Sequence, residues 1–116
     1  MGGEGGLAGR IARGDVLLCR FGRPGKTKPV VVLTRDSTLG YLSTVTVAPV
    51  TSTIRGAPSD VILNEEDGMK APCAVNLYNT VTVPREELGK RVAQLSSARI
   101  GEVCAALRFS LGCDGG

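Results

Sequence analysis

The chain has 116 residues, enough for one domain built on one modest core. A hydrophobic share of 42% excludes an intrinsically disordered class, and without an apolar run of about 18 residues there is no conventional membrane span. The net charge of +3 is mild, yet Arg20, Arg23, Lys26, Lys28 and Arg35 crowd one short segment while Asp60, Glu65, Glu66 and Asp67 lie elsewhere. Such a basic stretch raises the local concentration of phosphates, although charge alone is equally met by a solvated surface loop.

Residues 1–12 open with Met1-Gly2-Gly3-Glu4-Gly5-Gly6 and lack the basic start and apolar middle of a signal peptide. They read as a flexible leader, or as a start codon placed too early, ahead of a domain over 13–114; with no export signal the cytoplasm is the default. Asp15 to Phe21 (DVLLCRF) then predicts a strand, stopped by Gly22 to Gly25. Pro29 to Thr34 (PVVVLT) is a continuous β-branched run, as expected of a strand buried on both faces. Asp36 to Tyr41 suits a short turn. Ser43 to Val50 alternates Thr with Val, which places Val45 and Val47 on one face. Further short strands are expected at Asp60 to Leu63, Ala74 to Leu77, Thr80 to Val83 and Lys90 to Leu95.

Pro84 to Gly89 reads as a single helical turn, with proline at its first position and glycine after it. The one full helix comes last. Ser96 or Ser97 caps it through a hydroxyl that accepts from a free backbone N–H. Ile100, Val103, Cys104, Leu107 and Leu111 share one face, and Gly112 ends it. Closely spaced strands with short connections predict a mainly β fold, a small antiparallel barrel with this helix covering one face or one open end. The only aromatics, Phe21, Tyr41, Tyr78 and Phe109, leave the core to aliphatic packing and give poor support to an aromatic stacking platform on the sheet.

The four cysteines, Cys19, Cys73, Cys104 and Cys113, form no C-x-x-C pair, and the chain has no histidine. A zinc site is therefore not expected, and neither is a disulfide framework; Cys19 and Cys104 read as small buried thiols. No cofactor is implied. Arg13-Gly14-Asp15 spells an integrin-binding tripeptide, a reading set aside because a strand begins at Asp15 and no export signal precedes it.

Four segments, in shared order and spacing, carry a family resemblance. Arg13-Gly14-Asp15-Val16 matches an opening R-G-[DE]-[IV], and Lys28-Pro29-Val30-Val31-Val32-Leu33 matches R-P-[VA]-[LV]-[VI]-[VL]. Pro49-Val50-Thr51-Ser52 matches a P-[IV]-T-[ST] turn. Ala74-Val75-Asn76 through Asn79-Thr80 is followed by Leu88-Gly89-Lys90-Arg91 and the helix. Together these resemble the MazF/PemK (Kid) toxins over nearly all of the chain after the leader. The resemblance implies an SH3-like barrel of the CcdB/MazF kind, a homodimer, metal-independent cutting of single-stranded RNA, and a cognate antitoxin whose extended segment occupies the RNA groove.

Cutting RNA without a metal requires a 2′-hydroxyl to lose its proton, a phosphorane to be stabilised and the 5′-oxygen to be protonated. With no histidine to carry protons, this chemistry has to rest on positioning and electrostatic stabilisation. By the resemblance, Lys28 aligns with the family's main catalytic arginine and Thr51 with its catalytic threonine. Lysine is a point charge rather than a planar fork, so Arg20 or Arg23 are candidates to share the phosphate. Ser52, Thr53 and Arg55 extend a donor-rich, basic turn beside Thr51. Asn76 and Asn79 offer amides to base edges, and Tyr78 either stacks on a base or belongs to the core. Relatives commonly carry an acid followed by glutamine where Tyr78 and Asn79 stand, which leaves the general base unassigned. The loop from Gly22 to Thr27 is shorter than in many relatives. Two other functions compete: a non-catalytic RNA- or protein-binding barrel of the same ancestry, and a gyrase-poisoning toxin like CcdB.

Overall fold

Seven strands and two helices follow one another in the residues that the computed structural model describes, 11–21, 26–40 and 43–112. They are β1 (Asp15–Phe21), β2 (Lys26–Val32), α1 (Asp36–Leu39), β3 (Thr44–Thr51), β4 (Asp60–Leu63), β5 (Cys73–Asn76), β6 (Val81–Pro84), β7 (Leu88–Gln94) and α2 (Ser97–Leu111). Three-residue 3-10 turns lie at Glu65–Asp67, Leu77–Asn79 and Arg85–Glu87. The expected leader before Ile11, Arg23 with its turn, Tyr41 and Cys113 fall outside the described residues.

All strand pairs are antiparallel, in the order β4-β5-β3-β2-β1-β7. β3 takes two further partners along its length: its end pairs with β5 at Val50 and Thr51, and its start pairs with β6 from Thr44 to Val47. Serving both bends the sheet around itself, giving the small, partly open barrel with a C-terminal helix expected from the sequence.

The run Val30-Val31-Val32-Leu33 explains how two cores share one sheet. Val30 and Val32 enter a cluster with Leu17, Cys19, Val45, Val47 and Leu88. Val31 and Leu33 enter another with Val16, Val50, Leu63, Val75, Leu77 and Val103. Each buried aliphatic side chain contributes about 1.5–3 kcal/mol, so a strand apolar on both faces drives both clusters at once. Val45 and Val47 share a face, as their alternation predicts.

Ser96 caps α2 by accepting from the Arg99 N–H at 3.2 Å, and Gly112 ends it at φ +71°. The buried stripe differs from the predicted one. Val103 and Ala106 are its centre, Ile100 and Leu107 flank it, Cys104 is half-buried, and Leu111 is 64% exposed. A turn of 3.6 residues carries the stripe from Val103 to Ser110 and leaves Leu111 at its border. The Ser110 hydroxyl sits 3.1 Å from the Leu77 carbonyl and 2.9 Å from that of Leu107. The turn predicted from Pro84 to Gly89 is the 3-10 turn at Arg85–Glu87, with β7 already begun at Leu88.

Arg13-Gly14-Asp15 is structural throughout. Asp15 has no exposed surface and accepts from the Ala12 N–H at 2.9 Å and from Arg91 and Gln94 of β7, each at 3.2 Å. Arg13 Nε donates to the Leu33 carbonyl at 2.9 Å. Gly14 adopts φ +91°, and a Cβ there would lie 2.6 Å from Ile100 Cδ1, so no larger residue fits beneath α2. No helix among the described residues is long and apolar enough to cross a membrane.

Candidate active site

Where β2 enters the sheet and β3 leaves it, a groove of about 710 Å³ opens. Leu18, Pro29 and Val50 line it with apolar surface; Thr51 and Ser52 bring hydroxyls from the end of β3; Lys90, Arg91 and Val92 come from β7. The segment from Gly68 to Cys73 is a further wall and carries Lys70. Three of the lining residues are cationic and none is acidic. A site of that composition holds an anion with an apolar body, as a nucleotide is. A void beneath α2, lined by Val31, Leu95 and Ile100 among others, has room for about one water at roughly 20 Å³.

β2 and β3 pair through Val30 with Pro49, Val31 with Ala48 and Val32 with Val47. Continued by two residues, the same register sets Lys28 across from Thr51. Lys28 is exposed and precedes the lining residue Pro29 in the chain, but it pairs with Cys19 of β1 and is not itself among the lining residues. Thr51 is half-buried, and its Oγ1 accepts from the Thr53 N–H at 3.1 Å. That local bond is ordinary turn chemistry, and it has a consequence: with a lone pair occupied, the hydroxyl proton remains to be donated elsewhere. Ser52, Thr53 and Arg55 are exposed on the loop that follows.

Other candidates are spread apart. Arg20 is exposed and paired with Glu87, Nε to Oε1 at 3.0 Å, in a neighbouring groove that also holds Thr27 and Lys90. Asn76, Tyr78 and Asn79 do not line the main groove. They form the 3-10 turn at Leu77–Asn79, which packs on α2. The Asn76 side chain caps that turn by accepting from the Tyr78 N–H at 3.0 Å. Tyr78 is 63% exposed, so the core alternative for its ring is excluded; Asn79 is exposed beside it.

Cys73, buried at the foot of the wall, is no nucleophile. Burial pushes its thiol pKa up, and the charge of Asp67 adds to the effect, so the thiolate is scarce near neutral pH. Cys19 is likewise pushed up by burial and by Glu87. Among the described residues no group of three or more His, Cys, Asp or Glu side chains is placed to hold a metal ion.

Residues 12–111 match the sequence profile of the PemK-like, MazF-like toxins of type II toxin–antitoxin systems. The chain belongs to this toxin family. A curated member, a probable endoribonuclease named MazF2 from Mycobacterium tuberculosis, is 41% identical over 91 residues, covering 78% of this chain and 89% of its own. The solved toxin MazF-mt6 of M. tuberculosis superposes with a TM-score of 0.79 at 29% identity, covering 86% of this chain and 98% of its own. A mycobacterial endoribonuclease solved with its cognate antitoxin also gives 0.79, at 25% identity over 88% of this chain and 95% of its own.

Three groove residues are not among the site candidates that the sequence offers: Lys70, Lys90 and Arg91. Lys90 and Arg91 stand out in the sequence only as part of the Leu88-Gly89-Lys90-Arg91 motif. Lys70, a lone cation two residues before Pro72, gave no periodic or motif signal at all. Their gathering depends on the barrel bringing β7 and the wall to the β3 end, and such long-range closure leaves no trace in local spacing.

Proposed function

We propose that this chain is a sequence-specific endoribonuclease toxin that cuts single-stranded RNA without a metal ion. In this reading it acts as a homodimer in the cytoplasm and is neutralised by a cognate antitoxin. The observation that carries the reading is the groove beside the β2–β3 pairing, which brings Thr51 and Ser52 together with Lys70, Lys90 and Arg91 and has no carboxylate in its lining. Family membership, the endoribonuclease names of its relatives and the solved antitoxin complex of a structural neighbour support it.

In the proposed reaction the 2′-oxygen attacks the adjacent phosphorus and the bond from phosphorus to the 5′-oxygen breaks. The products are a 2′,3′-cyclic phosphate and a 5′-hydroxyl. Lys28 stabilises the charge of the phosphorane and donates a proton to the departing 5′-oxygen. The Thr51 hydroxyl, already accepting from Thr53, donates to a non-bridging oxygen. With no carboxylate in the groove, the 2′-hydroxyl proton passes to solvent. Ser52, Thr53, Arg55, Lys70 and Lys90 hold neighbouring phosphates, while Arg20 contributes from the end of β1 and Arg23, on its charge and sequence position, is a further phosphate contact. Tyr78 and Asn79 meet a flanking base, held in place by the Asn76 cap.

The test is incubation of purified protein with a long single-stranded RNA in EDTA, followed by end-group determination. Cyclic phosphate and 5′-hydroxyl ends are expected. Absence of cleavage on any long RNA would instead favour a binding module.

A further inference from the structure

The wall carrying Lys70 is held by one carboxylate from outside the groove. Asp67, its side chain only 8% exposed, accepts from Arg99 Nε of α2 at 2.8 Å through Oδ1. Its Oδ2 accepts from the Asn64 N–H at 2.9 Å, completing a capping box with the Asn64 side chain, which accepts from the Glu66 N–H at 2.8 Å. Arg99 is itself steadied by Glu102 at 2.9 Å. The next residue, Gly68, adopts φ +93°, and a Cβ on it would stand 3.0 Å from the Ala93 Cβ of β7. Its N–H donates to the Glu65 carbonyl at 3.0 Å, and the Met69 N–H donates to the Asn64 carbonyl at 3.3 Å. Met69 packs against the core cluster that includes Val103 of α2. Lys70 follows directly.

We infer that the Asp67–Arg99 pair is a positioning device: it fixes the Gly68–Pro72 wall to the first turn of α2 and so sets where Lys70 meets the RNA backbone. This rests on the reading of the groove as the RNA site. Neither residue touches the groove's interior. The coupling is mechanical: Asp67 is three residues from Lys70, and between them the chain has one αL glycine pressed on β7 and one methionine in the core. Releasing Asp67 frees the base of the wall, so Lys70 loses its fixed place against the RNA backbone, which weakens ground-state and transition-state binding alike and shows as a raised KM.

The test compares the full chain with Asp67→Asn, Arg99→Leu and Arg99→Lys. Two readouts are taken: hydrogen exchange at the Gly68 and Met69 amides, and KM and kcat on a single-stranded RNA. Asp67→Asn and Arg99→Leu are expected to speed exchange at both amides and to raise KM about threefold, no more than loss of Lys70 itself, with kcat within about twofold. Arg99→Lys, which keeps a charged donor, is expected to recover most of both. Val45→Ala, which opens the other core cluster, serves as a control matched in urea midpoint and should leave both readouts at the wild-type level. Unchanged exchange at the two amides, a fall in kcat at constant KM, or equal effects from Val45→Ala would each overturn the inference. If the wild type cuts no RNA, the cleavage reading fails, and amide exchange still decides whether the pair holds the wall.

Discussion

The groove end of the barrel and the corner at Leu77–Asn79 are both turns rich in polar side chains, yet they spend those groups differently. At the corner the polar atoms serve the fold: Asn76 caps the 3-10 turn and the Leu77 carbonyl accepts from Ser110 of α2. At the groove end Thr51 makes one local bond and keeps its proton, and Ser52, Lys70 and Lys90 face an open cleft. Polar residues in turns are thus chemically ambiguous until the sheet decides which of them meet across space. On the proposed reading, cleavage belongs to the groove and the corner makes only a flanking contact.

The sharpest attack on this contrast is Lys28→Ala or Thr51→Ala. Each should lower kcat by about 10²–10³-fold, the usual cost of losing one transition-state donor, with stability within about 0.5 kcal/mol for the exposed Lys28. Single-turnover cleavage with a parallel urea titration checks both. Next in size is Asp15→Ala, which removes a buried acceptor from Ala12, Arg91 and Gln94. A loss of about 2–3 kcal/mol in urea unfolding is expected, below the range for a fully buried pair because Arg91 is partly solvated. Lys70→Ala and Lys90→Ala should raise KM several-fold and each lower the salt slope of RNA binding by about one. At the corner, Asn76→Ala should cost about 1 kcal/mol of stability and raise KM by no more than about twofold through the flanking base contact, with kcat unchanged.

The smallest effect concerns acid. The hydrogen bond from Arg99 holds the Asp67 carboxyl below its ordinary range, against the opposing effect of burial. The folded protein therefore binds this proton less tightly than the unfolded chain. The stabilisation is complete above the unfolded carboxylate pKa of about 3.9 and drains away as pH falls through the lower folded value. Asp67→Asn should flatten that part of the acid-unfolding curve, read by circular dichroism.

What the sequence displayed well was local. The doubly buried run at Val30–Leu33, the Thr–Val alternation of β3 and the Ser96 and Gly112 ends of α2 are all matters of neighbours two to four residues apart. The misplaced Leu111 shows how far that reasoning reaches, since a stripe that drifts with the 3.6-residue period needs the partner surface to locate its border. The 3-10 turn at Glu65–Asp67 has no counterpart among the predicted elements, because its capping box becomes visible only once the Asn64 and Asp67 backbones are placed. Of the proposed site, Lys28 and Thr51 are legible through motif order, whereas Lys70 and Lys90 reach the groove beside Thr51 through barrel closure alone.

The assignment of cleavage to the groove is tested most directly by amide chemical-shift mapping with a single-stranded RNA whose 2′-hydroxyls are replaced by hydrogen, so that it binds without being cut. The account predicts the largest shifts at Thr51, Ser52, Met69, Lys70 and Lys90, with smaller ones at Tyr78 and Asn79. Shifts confined to the Leu77–Asn79 corner, with the groove amides unmoved, would contradict it.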